Sequence, residues 1–220
     1  MADIEIVSTK TCPYAQRSRM ALVEKGVDFD YKAVDLSNKP DWFLRLSPYG
    51  KVPVVRRGDE VVFESAIINE YLDEIFPQPA LLPRDPYLRA WARIWIDFAN
   101  TRFTAAYGAV IYHPDADKAA VDTLMAHVHT MESNGLARFA DGPYWLGRDV
   151  SLVDITYWPW FERWTALAEA RGIAIPADCV HTLKWVDVMR QRESARQTAN
   201  PPESFVESWR ARLAPRQAAE

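Results

Sequence analysis

At 220 residues with a formal net charge of −4, the chain has room for one domain or two small ones and carries no basic footprint for nucleic acid. A hydrophobic share of 49% with nine tryptophans supplies a packed core, and no run approaches the ~20 apolar residues that span a bilayer. Two cysteines far apart exclude a disulfide framework and point to a reducing, cytoplasmic setting; the Met-Ala-Asp start lacks the basic and apolar regions of a signal peptide.

Ile4 to Ser8 alternates β-formers and predicts a strand; Ala15 to Lys25 predicts a helix stopping at Gly26. Between them lies Thr11-Cys12-Pro13-Tyr14-Ala15-Gln16-Arg17-Ser18-Arg19. Pro13 suits the first helical position, where a missing N–H costs nothing. Cys12 is then the cap residue, facing unpaired amides and the positive end of the helix dipole. That placement lowers a thiol pKa, and the thiolate is the nucleophile. A lone cysteine often packs simply as a small apolar residue; the proline and the strand-to-helix junction turn the reading towards a reactive thiol. Ala15 stands where a dithiol oxidoreductase carries its second cysteine, and the other cysteine is Cys179. Any disulfide at Cys12 must therefore be cleared by a small thiol from solution or by a distant group.

Residues 28 to 36 alternate again and predict a second strand, closing a right-handed βαβ unit with parallel pairing. Asn38-Lys39-Pro40-Asp41-Trp42-Phe43 opens a short helix, and Ser47-Pro48-Tyr49-Gly50 is a turn. Val52 to Val55 and Val61 to Phe63 form a hairpin through Arg57-Gly58-Asp59. Pro53 either demotes its strand or marks a cis bond at the strand entrance, and the second reading is preferred. Glu64-Ser65 begins a helix with an apolar stripe of Ile67, Ile68, Tyr71, Leu72, Ile75 and Phe76. Ser65 reads as its N-cap, a plain cap or a place for a ligand carboxylate.

Four prolines between residues 77 and 86 mark a boundary, giving a first unit over 1–77, a linker over 78–86 and a second unit over 87–220. The second unit reads as helical throughout. Residues 87–112 predict one long helix and 116–139 a second. Val150-Ser151-Leu152-Val153-Asp154-Ile155 resembles a capping box with a hydrophobic staple, opening a helix that runs to about Arg171. Shorter helices are expected near 178–192 and 202–213. Trp158, Trp160 and Trp164 read as core. His127 and His129 face different ways on their helix, His113 and His181 are isolated, and no zinc spacing or phosphate loop exists, so no metal is expected.

A β-α-β, α, β-β-α half with a strand-entrance proline, followed by helices, resembles a cytosolic glutathione transferase: an α/β thioredoxin-like N-terminal domain plus an all-α C-terminal domain. The Thr11 to Arg19 stretch is similar to the active-site segment of the omega class, in which cysteine replaces serine or tyrosine. Asn38 to Phe43, Val52-Pro53, Glu64-Ser65-Ala66-Ile67, Glu70-Tyr71-Leu72-Asp73-Glu74, Trp158-Pro159-Trp160-Phe161-Glu162-Arg163 and Leu183-Lys184-Trp185 resemble that class too. Tyr14 departs from the usual Phe, and the proline-rich extension of animal members is absent, which points to a microbial relative.

The resemblance implies roles by position. Cys12 forms a mixed disulfide with glutathione. Leu36 and Lys39 border its glycyl end, Val52 before Pro53 pairs with its cysteinyl backbone, and Glu64 and Ser65 hold the γ-glutamyl group. Tyr14 sits beside the thiol, and Trp185, Tyr107 and Arg163 line the pocket of a small apolar or aromatic acceptor. Relatives are homodimers. The implied activity is glutathione-dependent thiol transfer or reduction. The alternatives are conjugation with glutathione as the nucleophile, or a non-catalytic binding protein on the same fold.

Overall fold

A computed structural model describes residues 2–112, 118–206 and 209. Strands β1 (Ile4–Ser8), β2 (Phe29–Ala33), β3 (Val54–Arg57) and β4 (Glu60–Phe63) form one sheet in the order β2-β1-β3-β4. The crossover helix α1 (Pro13–Glu24) makes β1 and β2 parallel, with Ile4 opposite Phe29 and Ser8 opposite Ala33. β3 runs antiparallel to both neighbours, with Ile6 opposite Val55 and Val54 opposite Phe63. Alternation sends Ile4, Ile6 and Val55 to the main core on one face and Val7 and Val54 to a smaller cluster on the other. β2 is shorter than the alternation over 28–36 predicts, because Asp35 leaves the sheet and its Oδ1 accepts from the Ser37 amide at 2.8 Å.

The short α2 (Asp41–Leu46) follows Pro40, and the Val52-Pro53 peptide is cis, the second of the two readings of that proline. α3 spans Ser65–Ile75. Here the predicted cap is corrected by one position: Glu64 is the N-cap, with φ +68° and ψ 112°, and Ser65 is the first helical residue. The segment after α3 is pinned by Asp73, which accepts from the amides of Leu81 at 2.7 Å and Leu82 at 3.1 Å.

The helical half begins with α4 (Pro86–Phe98), N-capped by Asp85 through the Leu88 amide at 2.9 Å. The helix expected over 87–112 continues through a π-helical turn, Ala99–Phe103, into α5 (Thr104–Tyr112). α6 (Lys118–Met131) likewise ends in a π-helical turn, Glu132–Leu136. The start of that predicted helix at 116, and His113, lie outside the described residues. The stretch expected to run unbroken to Arg171 divides at Arg163 into α7 (Leu152–Glu162) and α8 (Trp164–Arg171). α9 (Val180–Gln191) and α10 (Glu193–Thr198) follow, the latter without an expectation from the sequence. Of the helix expected over 202–213, residues 203–206 and 209 are helical, and the rest lies outside the described residues.

Ser151 and Asp154 make the predicted capping box. Asp154 does more: its carboxylate accepts from Ser151 N (2.8 Å), Ser151 Oγ (2.7 Å), Trp145 N (2.9 Å) and Trp185 Nε1 (2.7 Å), all buried. Trp158, Trp160 and Trp164 are core residues, as expected. α1 packs against α3, α7 and α10, so its Gln16, Arg17 and Ser18 are buried although polar. Among the described residues no helix is long and apolar enough to cross a membrane.

Candidate active site

Cys12 stands where β1 has ended and α1 begins, at φ −67° and ψ 120°, with Pro13 in the first helical position. Its carbonyl accepts from the Gln16 amide at 3.0 Å. The sulfur lies 3.9 Å from the Val52 carbonyl oxygen, so the strand-entrance bend at Pro53 brings backbone to within reach of the thiol. Two guanidinium groups flank this loop. Arg163, on the junction of α7 and α8, donates from Nη2 to Thr11 O at 3.0 Å and from Nη1 to Gln16 Oε1 at 2.7 Å. Its guanidinium carbon is 4.3 Å from the centre of the Phe205 ring.

The expected depression of the Cys12 pKa is overturned. Burial pushes the thiol up, and the amides of Ala15 and Tyr14 with the charges of Arg163 and Arg17 pull it down without overcoming that cost. The helix start is present as the sequence predicts, but the sulfur is crowded from water by the residues that surround it. Dehydration of a thiolate outweighs a partial charge from a helix end.

Arg17 is the second guanidinium, 1% exposed. Nε donates to Thr156 O at 2.9 Å, and Nη1 to Asn100 Oδ1 at 2.8 Å and Ser65 Oγ at 3.3 Å. Its carbon lies 4.4 Å from the centre of the Trp160 ring and 5.0 Å from that of Tyr14. No carboxylate pairs with it among the described residues, and Nη2 has no partner there. Burial lowers its pKa to about 10, which leaves it charged at neutral pH.

A groove of about 360 Å³ opens beside these groups, lined by Tyr14, Ser47, Tyr49, Lys51, Val52, Pro53, Phe63, Glu64, Ser65, Ala66 and Asn100. Tyr14, Val52, Pro53, Glu64 and Ser65, all named from the sequence, thus meet on one wall system, with Cys12 at its edge through Val52. Glu64 is exposed there in a left-handed backbone, a conformation that costs a non-glycine residue roughly 1–3 kcal/mol. Lys39 and Leu36 are exposed and do not line the groove; the Lys39 ammonium reaches over Gly50, 3.2 Å from where a Cβ would stand.

Sequence reasoning missed Ser47, Tyr49, Lys51, Phe63 and Asn100. Ser47 latches its turn, donating to Lys51 O at 2.7 Å and accepting from Lys51 N at 2.9 Å. Tyr49 packs edge-on against Phe63 at 5.4 Å. Asn100 arrives through the π-helical turn, which the sequence does not signal; π-turns recur at functional sites.

The expected acceptor residues are placed differently. Trp185 is 1% exposed, its indole spent on Asp154 and its ring edge-on to Trp145 and Phe161. Tyr107 is buried against Phe103 and Trp164, and burial raises its pKa. Arg163 is buried too, holding the Thr11 carbonyl rather than facing open space. None of the three lines the groove, because the aromatic core claims the two rings and the thiol loop claims the guanidinium.

The four-stranded thioredoxin-like sheet, its helices and this groove define a class. Family models described as the N-terminal and C-terminal domains of glutathione S-transferase match residues 11–75 and 118–188, and the chain belongs to that family. It is 33% identical over 200 residues to glutathione S-transferase U19 of Arabidopsis thaliana, covering 88% of each chain. To glutathione S-transferase omega-2 of Rattus norvegicus it is 31% identical over 195 residues, 86% of this chain and 75% of that one. The crystal structure of the Tau class enzyme MiGSTU from mango, Mangifera indica, superposes with a TM-score of 0.87 at 26% identity, covering 96% of this chain and 99% of that one.

Proposed function

We propose that this glutathione S-transferase is a glutathione-dependent thiol transferase of the omega type, working through a mixed disulfide at Cys12. The observation that carries the reading is a lone thiol at a helix N-terminus, 3.9 Å from the Val52 carbonyl, at the rim of a groove that ends in Ser65. In the first step the Cys12 thiolate attacks the glutathionyl sulfur of a glutathionylated substrate; the Cys12–S–S–G bond forms and the substrate leaves as its thiolate. A second glutathione thiolate then attacks the glutathionyl sulfur, releasing glutathione disulfide and returning the Cys12 thiolate. The amides of Tyr14 and Ala15 and the charges of Arg163 and Arg17 stabilise that departing sulfur.

Ser65 and the first amides of α3 hold the γ-glutamyl carboxylate, and Glu64 its ammonium group. Val52 pairs with the cysteinyl backbone, Lys39 meets the glycyl carboxylate beside Leu36, and Tyr14 borders the sulfur. A raised thiol pKa slows this chemistry less than it first suggests. Each unit of elevation reduces the thiolate about tenfold at neutral pH but returns about threefold in nucleophilicity. A homodimer in the cytoplasm, acting on a small apolar or aromatic acceptor, completes the reading.

A second reading rests on the same raised pKa and on the likeness to a Tau class structure: glutathione itself is the nucleophile and is conjugated to an electrophile. Replacement of Cys12 separates the two. Under the proposal Cys12→Ser and Cys12→Ala lose thiol-transferase turnover, whereas under the second reading Cys12→Ser raises conjugation of chlorodinitrobenzene and transfer activity is absent from the wild type.

A further inference from the structure

Away from the groove, the fold assembles a second cluster that the sequence spacing hides. His129, near the end of α6, meets Asp178 and Cys179, the two residues before α9, with one ligand atom of each within 4.8 Å of the others. We infer that His129 Nε2, an Asp178 carboxylate oxygen and Cys179 Sγ form a binding site for a zinc-like divalent cation that clamps α6 to α9.

The hydrogen bonding around His129 favours this. Its Nδ1 lies 2.9 Å from the Met125 carbonyl oxygen, which can only accept, so Nδ1 carries the proton. A backbone carbonyl on the remote ring nitrogen is the support that fixes a metal-binding imidazole. In the neutral ring Nε2 then points a lone pair at Asp178 Oδ2, 3.2 Å away. Two acceptors facing each other need a proton or a metal cation between them. A proton on Nε2 would satisfy the pair, but that simple ion pair gives no role to the third group. Cys179 is a free, fully buried thiol lying just beneath the two exposed side chains.

Sulfur, imidazole nitrogen and carboxylate oxygen together suit zinc, with a water in the fourth position. In a tetrahedral zinc site the nitrogen-to-oxygen edge is about 3.4 Å, close to the 3.2 Å already present. The approach is also held in advance. Glu132, three residues beyond His129, accepts from the amides of His181 at 2.9 Å and Thr182 at 2.8 Å, capping the start of α9. The carboxylates of Glu132 and Asp178 both act on Cys179, so the site carries a negative field. The same negative field draws a divalent cation, which releases the thiol proton as it binds. His129 and Asp178 are 49 residues apart, so no local motif announces them.

The test uses the full chain with Cys12→Ser, so that Cys179 is the one cysteine left. Metal-free protein is titrated with Co²⁺ and followed by thiolate-to-cobalt charge-transfer absorption. The expected result is a band that saturates at one equivalent, is displaced by Zn²⁺, and weakens at least tenfold in apparent affinity with His129→Asn or Asp178→Asn. Both of those side chains are exposed, so the comparison stands even where a Cys179→Ser chain fails to fold. Absence of the band, or a band whose affinity is unchanged by His129→Asn, overturns the site.

Discussion

Arg17 Nη1 lies 3.3 Å from Ser65 Oγ, so the first residue of α3 is held from beneath by a guanidinium of α1. A hydroxyl has one donor and two acceptor positions. By accepting from Arg17, Ser65 keeps its own proton for a carboxylate in the groove. The same guanidinium donates to Asn100, so two wall residues from two elements are aligned by one buried charge that pairs with no carboxylate among the described residues.

Arg17→Met therefore weakens binding of a glutathione analogue such as S-methylglutathione. Hydrogen bonds to charged groups contribute about 1.5–3 kcal/mol, which corresponds to roughly a tenfold to hundredfold rise in Kd. Calorimetry measures it, with circular dichroism confirming that the variant is folded. An unchanged Kd removes Arg17 from the binding machinery.

The raised Cys12 pKa gives a pH dependence with a definite sign. A thiol whose pKa lies above the ordinary value is mostly protonated at neutrality, so its reactivity climbs as pH rises. Alkylation of the Cys12 peptide by iodoacetamide should still be accelerating beyond about pH 8.5, the value of an unperturbed thiol. Arg163→Met, which removes one of the charges opposing burial, moves the curve further up. A plateau reached below about pH 7 restores the low-pKa reading that the helix N-terminus alone suggests.

Much of the first half was legible because its signals are local. Pro13 after Cys12 marks the helix start, and Pro53 after Val52 marks the bend, each from a single residue's chemistry. The cap of α3 lies one residue before the serine that the sequence marks, because Glu64 adopts a left-handed backbone that nothing in a glutamate announces. Trp185 takes its pocket role from the resemblance alone, and the capping box reveals Asp154 but not its third client, an indole 31 residues further on. Asn100 was invisible for a different reason: a π-turn rotates one side chain out of helical register, and the periodicity used to read helices assumes that register.

Asp154 is where the helical half is most vulnerable. Asp154→Ala strands four buried donors at once, two amides, a hydroxyl and an indole. The expected loss is about 3 kcal/mol or more, a fall of roughly 6–12 °C in Tm for a chain of this size. A Tm within about 2 °C of wild type contradicts that role.

Glu132 supplies a stability term that, like Cys12 reactivity, grows as pH rises, but in an acidic window. Burial pushes its carboxyl up, but hydrogen bonds from the amides and side chains of His181 and Thr182 more than offset this, leaving the pKa below the usual glutamate range. The folded state thus binds that proton less readily than the unfolded chain does. Its stabilising effect is present above the unfolded value and disappears as pH falls through the folded one. The Tm gap between wild type and Glu132→Gln should narrow as pH is lowered from about 6 to about 3; a gap that stays constant shows that the charge of Glu132 is not what holds α9.

The proposed reaction requires Cys12 to carry the glutathionyl group during turnover. Brief incubation of the protein with glutathione disulfide, followed by acid quench and peptide mass spectrometry, tests it directly. One glutathionyl group is expected on the Cys12 peptide, absent from Cys179 and removed at once by added glutathione. A wild-type enzyme that turns over glutathionylated substrate with Cys12 never modified contradicts it.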